Sequence, residues 1–208
     1  MPRKANGGAG RPSAEQAALK RQAILEAAQE EFVQSGFRGA SMRRIAERAQ
    51  VSTRTLYNQY ADKLALFAAC LEYGSEAIEL DLKETSGTLR ERLLAHATNL
   101  QHQMGNDSAT KVARLLYREG LEFDELRQMA RQQFLARQVQ PVARILTEYM
   151  EKPAGAEELA SHFVALVLAK WQRSVIFNDP LPGKRAAHQH ALAVTDLFLS
   201  GVGNQFRT

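Results

Sequence analysis

Residues 41–60 read SMRRIAERAQVSTRTLYNQY, and this stretch decides the fold. Ser41 precedes one helical run, MRRIAERA, with Ile45 and Ala49 four residues apart. Ser52 precedes a second, TRTLYNQY, with Leu56 and Tyr60 at the same spacing. A serine hydroxyl in front of such a run accepts an N–H of the first turn and marks where a helix starts. The two short helices are joined by about three residues. Ile45, Ala49, Val51 and Leu56 sit where such a pair must touch, and the small Ala46 lies at the crossing. This is the spacing of a helix-turn-helix, whose second helix enters the major groove of DNA.

The polar positions suit that use. With Leu56 and Tyr60 turned inward, Thr53, Arg54, Thr55, Tyr57 and Asn58 remain outside. Arginine pairs bidentately with a guanine edge, asparagine suits adenine, and a threonine methyl can touch that of thymine. Ser41 with Arg43 or Arg44 opens the first short helix, and Lys63 opens the helix that follows. Exposed helix N-terminal amides beside a cation hold a phosphate well. The expected DNA surface is therefore Ser41, Arg43, Arg44, Ser52, Thr53, Arg54, Thr55, Tyr57, Asn58 and Lys63. A helical hairpin with a merely solvated polar face is the other reading these residues allow.

Charge leans the same way. The 208 residues hold 27 Lys+Arg and 23 Asp+Glu, a net +4. Residues 1–67 carry 11 basic and 6 acidic side chains, or +5, and the remainder 16 and 17, or −1. A basic segment on a near-neutral body points to a polyanionic partner for that segment alone.

Working outward, long helical patterns account for the rest. Residues 1–12 read as a flexible basic arm, in which Arg3, Lys4 and Arg11 resemble arms that enter a minor groove. Ser13 is expected to cap a helix from Ala14 that carries Ile24, Ala27, Ala28 and Phe32 and ends at Gly36. A long pattern runs from Lys63 to about Lys83. Further helices are expected near 88–104, 108–121, 123–151, 156–177 and 185–202. The fold class is all-α with about nine helices. The expected organisation is an arm (1–12), a helix-turn-helix domain (13–62), and a ligand-binding and dimerisation domain (63–208).

In this setting the chain resembles the TetR family of transcriptional regulators. The segments that carry the resemblance are AAQEEFVQSG (27–36), SMRRIAERAQVS (41–52) and TLYNQYADKLAL (55–66), covering roughly residues 20–67. A looser similarity to the AcrR-like subgroup lies in RLLYREGLEFDEL (114–126), with Asp124 where that subgroup often has proline. LFLSG (197–201) resembles the family's last helix. Three positions depart from the family pattern: Gln50 for the usual turn glycine, Tyr60 for phenylalanine, and Leu64 for glutamate. The resemblance implies a homodimeric regulator, usually a repressor, on a palindromic double-stranded DNA operator. A small-molecule effector held in the helical body would release it.

The body helices agree in part. Residues 156–177 are apolar nearly all round, and 185–202 carry Ala187, Ala191, Val194, Phe198 and Val202 at helical spacing. Phe163, Val167, Ser174, Ala191, Val194 and Phe198 are the expected dimer contacts, and packing inside one monomer is the alternative. Tyr73, Met104, Tyr117, Phe134, Gln138 and Trp171 are the candidates for an effector pocket, each also readable as plain core. Phe123 is a further aromatic candidate, and Gln101, His102 and Arg118 are further polar anchors.

Other classes find little support. The longest apolar run, Phe163–Ala169, is far short of the ~18 residues of a membrane span, and the N-terminus lacks a signal-peptide core. A cytoplasmic protein is expected. One cysteine, Cys70, allows no intrachain disulfide and reads as a buried small hydrophobe. His188 and His190 point to different faces of one helix and do not make a metal site. No nucleophile-elbow, phosphate-loop, zinc-protease or dinucleotide motif occurs, so neither an enzyme nor a cofactor is expected. An all-helical ligand-binding or scaffolding protein, whose basic head contacts another protein, remains the alternative to the DNA-binding regulator.

Overall fold

The computed structural model describes residues 14–73, 87–151 and 154–202. Among them it has helices and no strand. These are α1 (Ala14–Gly39), α2 (Met42–Arg48), α3 (Thr53–Gln59), α4 (Lys63–Tyr73), α5 (Leu89–Met104), α6 (Asp107–Glu119), α7 (Asp124–Phe134), α8 (Gln140–Tyr149), α9 (Ala156–Phe177) and α10 (Lys184–Val202). The expected arm, the Ser13 cap, the continuation of α4 toward Lys83 and the break at Lys152-Pro153 lie outside the described residues.

Two elements differ from the sequence reading. Gly36 breaks α1 as expected, at φ 72° and ψ 168°, but helical turns resume and run on to Gly39. The rod read as one helix over 123–151 is split by a π-turn, Leu135–Val139, between α7 and α8. Pro141 is the physical reason. Its nitrogen has no hydrogen to donate and its ring crowds the carbonyl of the preceding turn, so the rod widens just before it. Counted through the π-turn as one rod, α7 and α8 bring the helices among the described residues to nine, the number the sequence suggests.

Two cores organise these helices. The first is built on α1, whose Ile24, Leu25, Ala28 and Phe32 are fully buried. Phe32 packs edge-on against Phe67 of α4 at 4.9 Å between ring centres. This core does not stop at residue 62, because Leu66 and Phe67 of α4, Val112 and Leu115 of α6, and Leu126 of α7 belong to it. The second core joins α5, the π-turn, α8, α9 and α10 around Leu93, Leu100, Val142, Leu146, Phe163 and Phe198. Burying so many large aliphatic and aromatic side chains, each contributing about 1.5–3 kcal/mol, holds the body together.

Five of the expected dimer residues belong to this second core, and the sixth, Ser174, is buried beside Arg114. Phe163, Val167, Ser174, Ala191, Val194 and Phe198 are all buried within the single chain, which corrects the sequence reading. The apolar periodicity of α9 and α10 is satisfied by α5 and α8 of the same molecule, so these faces do not await a partner. The outer face is different. Leu166, Ile176 and Phe177 of α9 and Leu197 of α10 are exposed, with the small residues Ala165, Ala169, Ala186 and Ala193 beside them.

Candidate nucleic-acid interface and inner cavity

The helix-turn-helix is set by backbone geometry. α2 ends in a left-handed residue, Gln50 at φ 54°. The Val51 N–H then reaches the Ala46 carbonyl at 2.9 Å, and the Gln50 N–H reaches that of Glu47 at 3.2 Å. This pair of bonds is the Schellman closure of a helix. It turns the chain into Ser52, whose Oγ accepts the Thr55 N–H at 3.0 Å and caps α3 as expected. Ser41 also precedes its helix, but its hydroxyl makes no capping bond there.

α3 buries one residue, Leu56, at full depth. Thr53, Arg54, Tyr57 and Asn58 are exposed on the side away from it. Tyr57 keeps half its surface open at 50%, and no described residue forms an ion pair with Arg54. Thr55 is half-buried and its hydroxyl is bonded to that of Ser52 at 2.7 Å, so it braces the cap. Arg43 is exposed beside Glu47, at 3.0 Å.

Two of the expected phosphate contacts also have partners inside the protein. Arg44 donates through Nε to Glu31 Oε1 at 2.8 Å and through Nη2 to the Gly39 carbonyl at 2.6 Å. Lys63 donates to the carbonyls of Arg38 and Ala40 at 3.0 and 3.2 Å and lies 5.0 Å from the centre of the Phe37 ring. Burial depresses its pKa, against the pull of the nearby Glu119 charge. Both cations therefore also tie the end of α1 to its neighbours. Glu31 is a residue the sequence reading missed. It is buried at the base of α2, where desolvation works against its charge. Hydrogen bonds from Arg44 and the Ser41 N–H outweigh that and hold its carboxyl below the usual range.

Behind the first core lies a cavity of about 380 Å³. Tyr73, Met104, Phe134, Gln138 and Trp171 line it. Tyr117 does not, since it stands exposed on the outer side of α6. Gln101 is also elsewhere, with its amide donating to the Val167 carbonyl in the second core. His102 is exposed, Arg118 is paired with Glu119, and Phe123 packs on Phe37. Cys70 reaches the cavity wall, and burial pushes its thiol up to about 12.

α6 joins cavity and head. Ala109, Val112, Ala113 and Leu116 form part of the wall, and Glu119 at the end of the helix enters the break at Gly36. Its Oε2 accepts the N–H of Phe37 at 2.6 Å and that of Arg38 at 3.3 Å. Arg114 in the middle of α6 donates to the Ser174 carbonyl and Asn178 Oδ1, each at 2.7 Å, closing the end of α9. Among the described residues no group of three His, Cys, Asp or Glu is placed to hold a metal ion. No helix there is long and apolar enough to cross a membrane.

This architecture defines a helix-turn-helix protein with a hollow helical body. The model of bacterial regulatory proteins of the tetR family matches residues 24–70, the same segment that forms the head. An uncharacterised HTH-type transcriptional regulator of Bacillus subtilis (strain 168), YvkB, is 29% identical over 103 residues. That match covers 50% of this chain and spans about half of the relative, 53%. A TetR family transcriptional regulator from Pseudomonas syringae pv. tomato str. DC3000 is 28% identical, with a TM-score of 0.66 over 88% of this chain and 95% of that one. A TerR/AcrR family regulator from Aquifex aeolicus VF5 shares the fold at 19% identity, with a TM-score of 0.65 over 86% and 98% of the two chains. Residues 24–70 thus match the tetR-type head, and the chain shares its fold with TetR family transcriptional regulators.

Proposed function

We propose that the protein is a DNA-binding transcriptional repressor that works as a homodimer on a palindromic operator and lets go when a small molecule fills the cavity. The observation that carries this reading is the outward face of α3. Thr53, Arg54, Tyr57 and Asn58 stand exposed on a helix anchored by buried Leu56 and capped by Ser52. These residues can meet base edges, with Ser41, Arg43 and Ser52 beside them for phosphates. One such helix covers few base pairs. Two heads, ~34 Å apart or a multiple of it, read a two-fold site. The exposed apolar strip on α9 and α10 supports pairing through that face.

Release is supported by the path of α6, which forms cavity wall at Val112 and Leu116 and grips the head at Gly36 through Glu119. A ligand that shifts α6 moves the head with it. The reading places the protein in the cytoplasm, with its DNA, and gives it no catalytic role and no cofactor.

The test is an electrophoretic shift on the gene's own upstream region. A sharp shift is expected, with an affinity that falls steeply as salt rises because phosphate contacts release counterions. Arg54→Ala should weaken specific binding by roughly 5- to 150-fold, about 1–3 kcal/mol, with the fold intact. No shift at any concentration would reject the reading and leave a head that contacts another protein.

A further inference from the structure

We propose, on the footing that the head binds DNA, that Glu31 is a positioning residue: it fixes the Arg44 guanidinium in one orientation, so that the free nitrogen of that group meets a backbone phosphate beside α2. The geometry of the pair carries this. Arg44 Nε lies 2.8 Å and Nη2 2.5 Å from Glu31 Oε1, and Nη2 also donates to the Gly39 carbonyl at 2.6 Å. The third nitrogen, Nη1, makes no hydrogen bond with a described residue. The Glu31 side chain is 2% exposed and that of Arg44 46%. The carboxylate is therefore the buried anchor, and the guanidinium is the part that opens outward. Three successive carbonyls locate it. Arg44 takes that of Gly39, and Lys63 takes those of Arg38 and Ala40. Two cations thus gather on the turn that leads into α2, and the Ser41 N–H of the same turn is tied to Glu31 at 3.3 Å.

The neighbouring arginines of α2 are held differently. Arg43 pairs with Glu47 and Arg48 with Glu30, both carboxylates more than half exposed. Such surface pairs are weak and leave the arginine mobile. The buried acid serves Arg44 at hydrogen-bond range and Arg48 only at 3.9 Å. A buried acid in this place needs a reason. Desolvating a carboxylate costs free energy that its pairing only partly returns, and an apolar side chain of similar size would fill the site as well. Its negative charge also opposes a nearby phosphate. What the acid adds is orientation. A free arginine loses rotamer freedom when it grips a phosphate, and one already held loses less. Its planar fork, fixed along one edge, presents the remaining N–H groups in one direction.

The test compares the full-length wild type, Glu31→Gln and Glu31→Gln/Arg44→Met on the gene's upstream DNA, with affinity read by fluorescence anisotropy from about 50 to 200 mM salt. Neither variant buries an unpaired charge, so both are expected to fold, and far-UV ellipticity at the assay temperature checks it. Glu31→Gln removes a negative charge from the head, so charge alone would tighten binding. Positioning gives the opposite sign. A loss of about 2- to 10-fold per head is expected, with the salt slope close to wild type because the arginine charge stays. Adding Arg44→Met should lower the slope by about one per head, as one phosphate contact is lost. A merely structural role for the pair would not move that slope. Glu31→Gln that binds as tightly as wild type, or tighter, overturns the positioning role. A slope unchanged between the two variants overturns the phosphate contact. Wild-type protein that does not bind this DNA removes the DNA-binding reading, and the proposal with it.

Discussion

Glu119 fills the notch that Gly36 makes in α1. Gly36 adopts φ 72° and ψ 168°, a conformation essentially open to glycine alone. A Cβ there would collide with the Glu119 carboxylate, which accepts the backbone N–H of Phe37 at 2.6 Å. Helix α6 therefore holds the head by a bond that depends on a missing side chain eighty-odd residues away.

Gly36→Ala should cost about 1–3 kcal/mol from backbone strain alone, with a further loss as Glu119 is pushed out. Glu119→Ala should cost about 1–3 kcal/mol by leaving the Phe37 N–H unmet. The two share one contact, so the double variant should lose less than the sum. Chemical denaturation of the four proteins checks this. Strictly additive losses would mean that the two residues do not interact.

The head was legible because its signals are local. The Ser52 cap, the small Ala46 and the Leu56 spacing all lie within twenty residues. Glu31 and Glu119 were not, because each acts on backbone or charge far along the chain, and a glutamate on a helix gives no sign of where it points. For Arg44 and Lys63 the basicity was visible and the internal partners were not, for the same reason. The body failed differently. Periodicity shows that α9 has an apolar face, but not whether α5 of the same chain or a second copy covers it. Of the cavity candidates, Tyr73, Met104, Phe134, Gln138 and Trp171 lie on the wall, while Tyr117 has the same composition signal and faces outward.

Gln50 stands where the family pattern has glycine, and it is left-handed at φ 54°. A non-glycine residue there carries about 1 kcal/mol of strain, while glycine gains unfolded-state freedom of a similar or smaller size. Gln50→Gly should therefore be between neutral and about 1 kcal/mol more stable. Thermal melts check this. A clear fall in melting temperature would mean that the Gln50 side chain makes a contact worth more than its strain.

Glu31 makes the head acid-sensitive. Its folded pKa lies below its ordinary value of 4.5, so it favours the folded state above that value and loses this contribution as pH falls through the folded pKa. Glu31→Gln keeps one acceptor but not the charge that Arg44 faces, and should cost about 1–3 kcal/mol near pH 7. The gap between wild type and variant should narrow as pH falls from 6 toward 3. Urea titrations across that range measure it, and a gap constant with pH would show that the Glu31 charge is not what stabilises the pair.

Adjacent residues on α10 face different surroundings. Phe198 is 5% exposed and stacks edge-on with Phe163 at 5.0 Å, inside the chain. Leu197, one position earlier, is 63% exposed on the face that carries Ala193 and Ala186. A step of one residue turns a helix by about 100°, so the two side chains serve different surfaces. Phe198→Ala should open a cavity and cost about 3–5 kcal/mol, lowering the melting temperature whatever the oligomeric state. Leu197→Arg adds charge at a site already in water, so the monomer should keep its stability and helical content. In a homodimer joined through this face, a long charged side chain in place of Leu197 on each copy would have to lose its water at the seam, and the pair should separate. Sedimentation at micromolar concentration reads the result. Wild type is expected as a dimer and Leu197→Arg as a folded monomer. A variant that still sediments as a dimer would move the interface off this face of α10.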